Sequence, residues 1–379
     1  MNIPAWEGSS VFPDLCAILL TWRKSAPDTR DLPWRDEPTP YHVWISEIML
    51  QQTRASVVRG YYLRFLSVLP TVRALAEVDD DALMKLWQGL GYYSRARNLK
   101  RAAQAIVEAH GGDLPDDFDA LLALPGIGRY TASAISSFAY GRPCPAVDGN
   151  FLRVAARVTE NPIDIAKDAA KRALEEALRP AYPTGRDAGL LNEAFMDLGA
   201  TICLPNGTPL CRLCPAAHLC LAHDCGTALN YPVKTALKAR RKEHRTVLLL
   251  RRGDRFAIRK RPARGLLAGL WEYPNLDGKW GKRKLLDHLA AEGFTVHSMS
   301  SLPPARHVFT HIEWNLTGWE VYLDDTDDVP LCTADTAEPT GAALCAAEDD
   351  PPSALLWVRR AELADTYSIP AAFGYFTPR

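Results

Sequence analysis

The sequence predicts two domains of different class: a helical domain over residues 1–225 and a smaller α+β domain over 243–379, joined by a basic linker at 226–242. Three observations predict it. The chain has 379 residues, which is long for one ordinary core. Its first part is rich in Ala, Leu, Arg and Glu, in segments separated by Gly, Pro and Asp clusters, as helices are. After Cys225 the texture changes to β-branched and aromatic runs broken by turn residues.

The elements follow in order. "TPYHVWISEIML" offers Thr39 as a cap and Pro40 as the first helical residue. "DDDALMKLWQGL" and "SRARNLKRAAQAIVEAHGG" read as helices, and "DDFDALLALPGIGRYTASAISSFAYG" as two helices joined by "PGIG". "PAVDGNFLRVAARV" starts a helix with Asp148 as cap, because Phe151, Leu152, Val154, Ala155 and Val158 follow at helical spacing. Residues 166–180 and 186–201 supply two more. "NYPVKTALKARRKE" is a connector in which a helix is possible. "HRTVLLLRRGDRFAIRKR" is a β-hairpin turning at "RGDR", "GKRKLLDHLAAEG" a helix, and "HIEWNLTGWEVYL" a second strand region.

Hydrophobic residues make up 47% and charged residues 23%, as in soluble proteins. No long uncharged apolar span suggests a membrane helix, and "MNIPAWEGSS" has neither a basic start nor an apolar signal segment. A cytoplasmic or nucleoid location is expected. Net charge is −1, unevenly spread: residues 226–264 carry 13 basic and 2 acidic residues, residues 265–379 carry 8 and 17. The basic waist is either a phosphate-contacting surface or a solvated linker.

Four motifs carry chemistry. In "LPGIGRYTA", Gly126 and Gly128 permit a tight turn, and Gly128 and Arg129 open the next helix at its positive end. Such a helix-hairpin-helix grips a phosphate through backbone N–H groups without reading sequence. "CLPNGTPLCRLCPAAHLC" places Cys203, Cys211, Cys214 and Cys220 at intervals of seven, two and five residues, with Cys225 close by. So many thiols argue for a metal rather than disulfides: a [4Fe–4S] cluster, or zinc, although the two short cysteine pairs usual for zinc are missing. Cys16, Cys144, Cys332 and Cys345 read as ordinary residues. Glu47 interrupts the apolar run "VWISEIMLQQT", where burial should raise its pKa and make it a proton donor; a salt-bridged or surface Glu is the alternative. Gln51, Gln52, Tyr92 and Tyr93 could wedge into a base stack or simply pack. A neutral Glu47 and an ionised Asp148, steadied by its helix start and by Arg153 and Arg157, are the two groups that breaking an N-glycosidic bond requires.

Together, "LPWRDEPTPYHVWISEIMLQQT", "GLGYYSRARNL", "LPGIGRYTASAI", "VDGNFLRVAAR" and "NEAFMDLGATIC" resemble, in order and over nearly the whole chain, the helix-hairpin-helix DNA glycosylases of the endonuclease III superfamily. The adenine-excising branch is the nearest. The resemblance implies an all-α glycosylase region with a [4Fe–4S] loop at 203–220, followed by an α+β Nudix-like domain. It implies a monomeric, monofunctional hydrolase that flips adenine out of duplex DNA when it is mispaired with 8-oxoguanine or guanine. By this resemblance Glu47 protonates adenine N7, Asp148 stabilises the sugar cation and Asn150 orients that site. Tyr130 stands where lyase relatives have a lysine, and is expected to hydrogen-bond near Asp148. Glu193 and Trp34 contact the flipped base, and Gln51 and Tyr92 enter the duplex. Cys203, Cys211, Cys214 and Cys220 hold the cluster. The first cysteine interval is one residue longer than usual, and Asn206–Gly207 could absorb it in a small turn. "GLLAGLWEYP" resembles a Nudix segment, but the glutamate cluster of pyrophosphate hydrolases does not follow it. Phe309, Thr310 and His311 match the stretch that reads 8-oxoguanine, with Thr in place of Ser; by itself the patch reads as a packed strand. The alternatives are a catalytically silent lesion binder and a glycosylase/lyase for oxidised bases.

Overall fold

The computed structural model describes residues 6–25, 30, 32–236, 239–324 and 354–377. Cys332, Cys345 and most of the acidic stretch of the last domain lie outside the described residues. The chain forms two compact units, Met1–Val78 with Arg97–Leu237, and Asp79–Ala96 with Lys238–Arg379. The segment Asp79–Ala96 therefore leaves the helical unit and joins the C-terminal one, which no local pattern announced.

The first unit is helical: α1 (Phe12–Ser25), α2 (Pro40–Leu50), α3 (Ala55–Val68), α4 (Val72–Glu77), most of α6 (Ser94–His110), α7 (Phe118–Ala123), α8 (Arg129–Phe138), α9 (Gly149–Thr159), α10 (Asp168–Leu178), α11 (Arg186–Thr201) and the short α12 (Leu221–Asp224). The omitted α5 (Asp80–Trp87) lies in the second unit. Caps set the starts. Thr39 accepts from the His42 N–H at 3.2 Å with Pro40 behind it, and Thr71, Asp117 and Asp148 cap α4, α7 and α9 in the same way. One core joins α1, α9, α10 and α11 through Leu15, Leu19, Leu152, Leu174 and Leu198, with Phe151 stacked on Phe195 at 4.3 Å. Helix α2 is buried from Val43 to Met49 and packs on α3 and α8, so Glu47 has no route to solvent on its own helix. No helix among the described residues is long and apolar enough to cross a membrane.

In the second unit a mixed sheet runs β3-β2-β1-β6-β5, with β4 beside β1 and β7 beside β2. The predicted hairpin is β1 (Arg241–Arg252) and β2 (Arg255–Lys260). The predicted connector ends earlier than expected, because β1 takes up Arg241, Lys242 and Glu243, and its described residues hold no helix. β6 (Ile312–Leu323) pairs with β1 in parallel, and with β5 (Val296–Val308) antiparallel. The period of two explains the unbroken apolar run in β1. Val247 and Leu249 face a core with Trp314, Phe373 and Phe376, while Leu248 and Leu250 face another with Leu285 and Leu289 of α13 (Lys282–Ala291). β3 (Trp271–Glu272), β4 (Asn275–Asp277), β7 (Leu356–Arg359) and α14 (Arg360–Asp365) complete the unit. Helix α5 is tied into it. Lys260 Nζ reaches Asp81 at 3.1 Å, Trp271 Nε1 donates to Asp81 at 3.2 Å, and Gln88 donates to the Ile369 carbonyl at 3.1 Å.

Candidate active site

A cavity of about 730 Å³ opens in the helical unit. Glu47, Gln51, Tyr130, Asp148, Asn150, Trp34 and Glu193 all line it, so these sequence-predicted residues meet in one place, while Gly126, Arg129 and the four cysteines lie outside it.

Glu47 comes from the third turn of α2, within its buried stretch Val43–Met49, and is itself buried. One oxygen bonds to the Tyr130 hydroxyl, while Oε2 has no partner at all. Burial pushes its carboxyl up to about 7, the nearby Asp148 charge adds to that, and Tyr130 opposes it. Asp148 sits across the cavity as the cap of α9. It accepts from the backbone N–H groups of Asn150 and Phe151 at 2.8 and 3.0 Å, and from Asn150 Nδ2 at 2.6 Å. Burial raises its pKa as well, but these three donors and Arg153 pull it back. A proton shared by the pair therefore belongs on Glu47, which lacks such donors. Tyr130 hydrogen-bonds to Glu47 with the Asp148 charge close by, and desolvation pushes its own pKa well above the ordinary value.

Three residues of this site were not singled out in the sequence for what they do. Arg153 was expected simply to add charge. It grips Asn150 Oδ1 at 2.8 Å, the Gly199 carbonyl at 2.7 Å and the Cys203 carbonyl at 2.8 Å, so it holds the Asp148 partner in place. Arg157, expected to do the same, serves the cysteine loop instead, donating to Cys203 Sγ at 3.2 Å and to the Leu204 carbonyl at 2.9 Å. Gly199 lets Asn150 approach α11, since a Cβ there would lie 2.6 Å from the Asn150 Cβ. A glycine inside a helix was the available signal.

The hairpin Leu124–Arg129 forms as read, with the Ile127 N–H closing on the Leu124 carbonyl at 3.2 Å. Only Gly126 needs glycine for its own geometry: φ is +78°, and a Cβ would meet Asn98 at 2.7 Å. Gly128 caps α8 with an ordinary φ of −92° and open space where a side chain would stand. The Arg129 guanidinium is paired with Glu175 at 3.0 Å and lies over the Phe118 ring.

Cys203, Cys211, Cys214 and Cys220 line one small cavity of about 30 Å³ walled by Val154, Val158, Leu198 and Arg157. Cys225 is exposed and does not line it. The longer first interval closes on itself, because the Leu210 N–H returns to the Ile202 carbonyl at 2.9 Å and Gly207 turns the loop at φ +74°. Among the described residues no three His, Cys, Asp or Glu side chains converge as the ligands of a single metal ion would.

In the second unit, Phe309, Thr310 and His311 form the turn between β5 and β6 instead of a packed strand. Phe309 packs edge-on to Trp314 at 4.9 Å and its N–H closes the turn on the Ile312 carbonyl, leaving Thr310 and His311 exposed. Tyr92, in the left-handed region at φ +47°, has its hydroxyl 2.7 Å from Thr310 Oγ1. Glu272, near the Nudix-like segment, is buried between Arg259 and Arg261, and α13 carries no glutamate.

Comparison with known proteins follows the same division. Residues 45–180 match the profile of the HhH-GPD superfamily of base excision DNA repair proteins, and residues 246–376 match the NUDIX domain. Adenine DNA glycosylase of Rattus norvegicus is 33% identical over 81% of this chain and 70% of its own length. That of Schizosaccharomyces pombe is 31% identical over 79% of each. Among solved structures, a thermostable thymine-DNA glycosylase superimposes with a TM-score of 0.50 at 30% identity, covering 57% of this chain and 99% of that one.

Proposed function

The chain belongs to the adenine DNA glycosylase family, a group of DNA N-glycosylase hydrolases of base excision repair, and on that premise we propose that its cavity receives an adenine flipped from a mispair with 8-oxoguanine or guanine. The observation that carries the reading is the asymmetry of the carboxylates: a buried Glu47 oxygen with no partner faces the same cavity as an Asp148 held by three N–H donors.

The chemistry follows from that asymmetry. Glu47 gives its proton to adenine N7, and the C1′–N9 bond breaks with its electrons going to the base, which leaves neutral. Asp148 stays charged beside the sugar cation. Water adds to C1′ and its spare proton returns to Glu47. Tyr130 steadies the Glu47 carboxyl; Arg153 and Asn150 steady Asp148. Trp34 and Glu193 bound the base, while Gln51 and Tyr92 enter the duplex and Gly126, Gly128 and Arg129 lie against phosphate. Thr310, with Phe309 and His311, meets 8-oxoguanine.

Cys203, Cys211, Cys214 and Cys220, around one cavity with the Arg157 guanidinium on Cys203 Sγ, are the residues that would hold a [4Fe–4S] cluster. Bound there, the cluster ties folding of the loop to the metal. Iron at roughly four atoms per chain, without zinc, is the expected analysis.

Duplexes with adenine opposite 8-oxoguanine test the function. Strand breakage only after hot alkali is the expected result. Binding with no abasic product would indicate a silent lesion binder. Lys171 also lines the cavity, and direct nicking with a borohydride-trapped adduct would indicate a lyase.

A further inference from the structure

We propose that Arg23 is a positioning residue that sets the base preference of the cavity, by holding Glu193 in one orientation and in its charged form. The inference rests on the adenine-excision reading and deepens it.

Arg23 lies in the last turn of α1, a helix that packs against α11. It does not line the cavity; Glu193 does. Both Arg23 Nε and Nη2 donate to the same oxygen, Glu193 Oε2, at 3.0 and 2.6 Å. A guanidinium usually spreads its fork over two oxygens. Here Nε and Nη2 converge on Oε2, with Nε also 3.8 Å from Asp197 Oδ2, and this orientation turns Oε1, 3.6 Å from Arg35 Nε, to serve as the acceptor for a bound base. One turn on, Asp197 takes Arg35 across both oxygens at 2.9 and 3.0 Å and Arg30 at 2.7 Å. Arg30 and Arg35 line the cavity too, so α11 presents an acceptor beside anchored donors.

That order of groups has a chemical meaning. Adenine offers an exocyclic amine, a donor, next to a ring nitrogen that accepts. A carboxylate takes the amine only while ionised, since a protonated carboxyl turns into a donor. Guanine offers a carbonyl and a ring N–H there, which would set acceptor against acceptor. Arg23 thus acts on specificity through Glu193, without touching the base.

The groups around Glu193 are Arg23 on α1, Arg30 and Arg35 after it, and Asp197 on its own helix. Glu47, Tyr130 and Asp148, on α2, α8 and the start of α9, share the cavity, and Lys24 is engaged with Asp187 at 2.7 Å. Burial already raises the Glu193 pKa, and Arg35 and Arg23 are what oppose it. Removing Arg23 lets the carboxyl hold a proton to higher pH.

The test compares single-turnover release of adenine and of unsubstituted purine, which lacks the amine, each opposite 8-oxoguanine. In Arg23→Met the adenine-to-purine rate ratio should fall about tenfold at neutral pH, the low end for a hydrogen bond to a charged group, and recover as pH rises. Arg23→Lys, which keeps the charge without the fork, should fall less. In a Glu193→Gln background, Arg23→Met should leave the ratio unchanged. Rates for both bases that fall in proportion, or a ratio unmoved by Arg23→Met, would overturn the proposal even if thermal stability drops. A wild-type protein that releases neither base would instead sink the excision reading.

Discussion

The two walls of the cavity hold the same chemical group in opposite conditions. On the α2 wall, Glu47 stands in a helix buried from Val43 to Met49, with one hydroxyl as company and one oxygen orphaned. At the α9 wall, Asp148 stands at a helix start among three N–H donors, with Arg153 behind them. Both are desolvated, so burial alone does not separate them. The number of donors does. An orphaned oxygen costs about 1–3 kcal/mol where it is buried, and proton binding relieves that cost. Donors on a carboxylate reward its charge. The difference teaches that acid and anion can be assigned by counting N–H groups.

The largest expected effect removes the proton donor. Glu47→Gln keeps the shape and should slow base release by roughly 10³-fold, within the usual range for general acid catalysis. Asp148→Asn keeps two backbone bonds and loses the charge, and should cost about 10²–10³-fold. Single-turnover rates measure both. Parental activity should also fall as pH rises through about 7, where Glu47 loses its proton. If Glu47→Gln stays within a few-fold of the parent, the two walls do not differ as argued.

Stability sharpens the same contrast. The Glu47 pKa is raised in the folded protein from 4.5 to about 7. A raised carboxyl contributes stability that is complete below the unfolded value and is lost as pH climbs through the folded value. Glu47→Gln should therefore match the parent in acid and exceed it above neutrality. The gain is about 3 kcal/mol at most, from the shift at 1.36 kcal/mol per unit. Denaturant unfolding at two pH values reads it, and a gain in acid alone would reverse the sign.

Much of this was legible in the chain. Thr39–Pro40, Asp148, the "RGDR" turn and the helix at 282–291 are local signals, and each formed where it was written. The carboxylate pair was legible because an acid inside an apolar run and an acid at a cap are both anomalies of spacing. What was not legible is long-range. The pairing of β1 with β6 joins residues 71 positions apart, as Arg241 with Ile312, and the passage of Asp79–Ala96 into the second unit depends on Asp81 and Gln88 finding partners far down the chain. Arg23 looked like an ordinary charged residue at a helix end, because its partner is 170 positions away. Tyr130 was expected near Asp148, but its hydrogen-bond partner Glu47 was not legible, since spacing fixes which turn a residue occupies and not which neighbour its hydroxyl selects.

A smaller effect probes how the Asp148 wall is built. Gly199 has helical geometry, so alanine is locally the better helix former. Its Cβ, however, would press Asn150 at 2.6 Å and dislodge the amide that holds Asp148 Oδ2. Gly199→Ala should slow base release about tenfold, one charge-assisted hydrogen bond, with little change in the melting temperature. A large melting loss with an unchanged rate constant would place Gly199 in packing only.

The smallest effect separates the α2 wall from the helix that carries it. Thr39 caps that helix at its exposed start, two turns from Glu47, and accepts from the His42 N–H. Thr39→Ala should cost about 1 kcal/mol of stability, the usual value of a cap, and leave both the rate and its pH dependence as they were. The reason is that Glu47 is held by the apolar packing of Val43 to Met49 on α3 and α8, not by the first turn. A shift of the basic limb of the pH profile in Thr39→Ala would mean that fraying at the start reaches the acid, and that the burial of Glu47 depends on the cap as well as on the core.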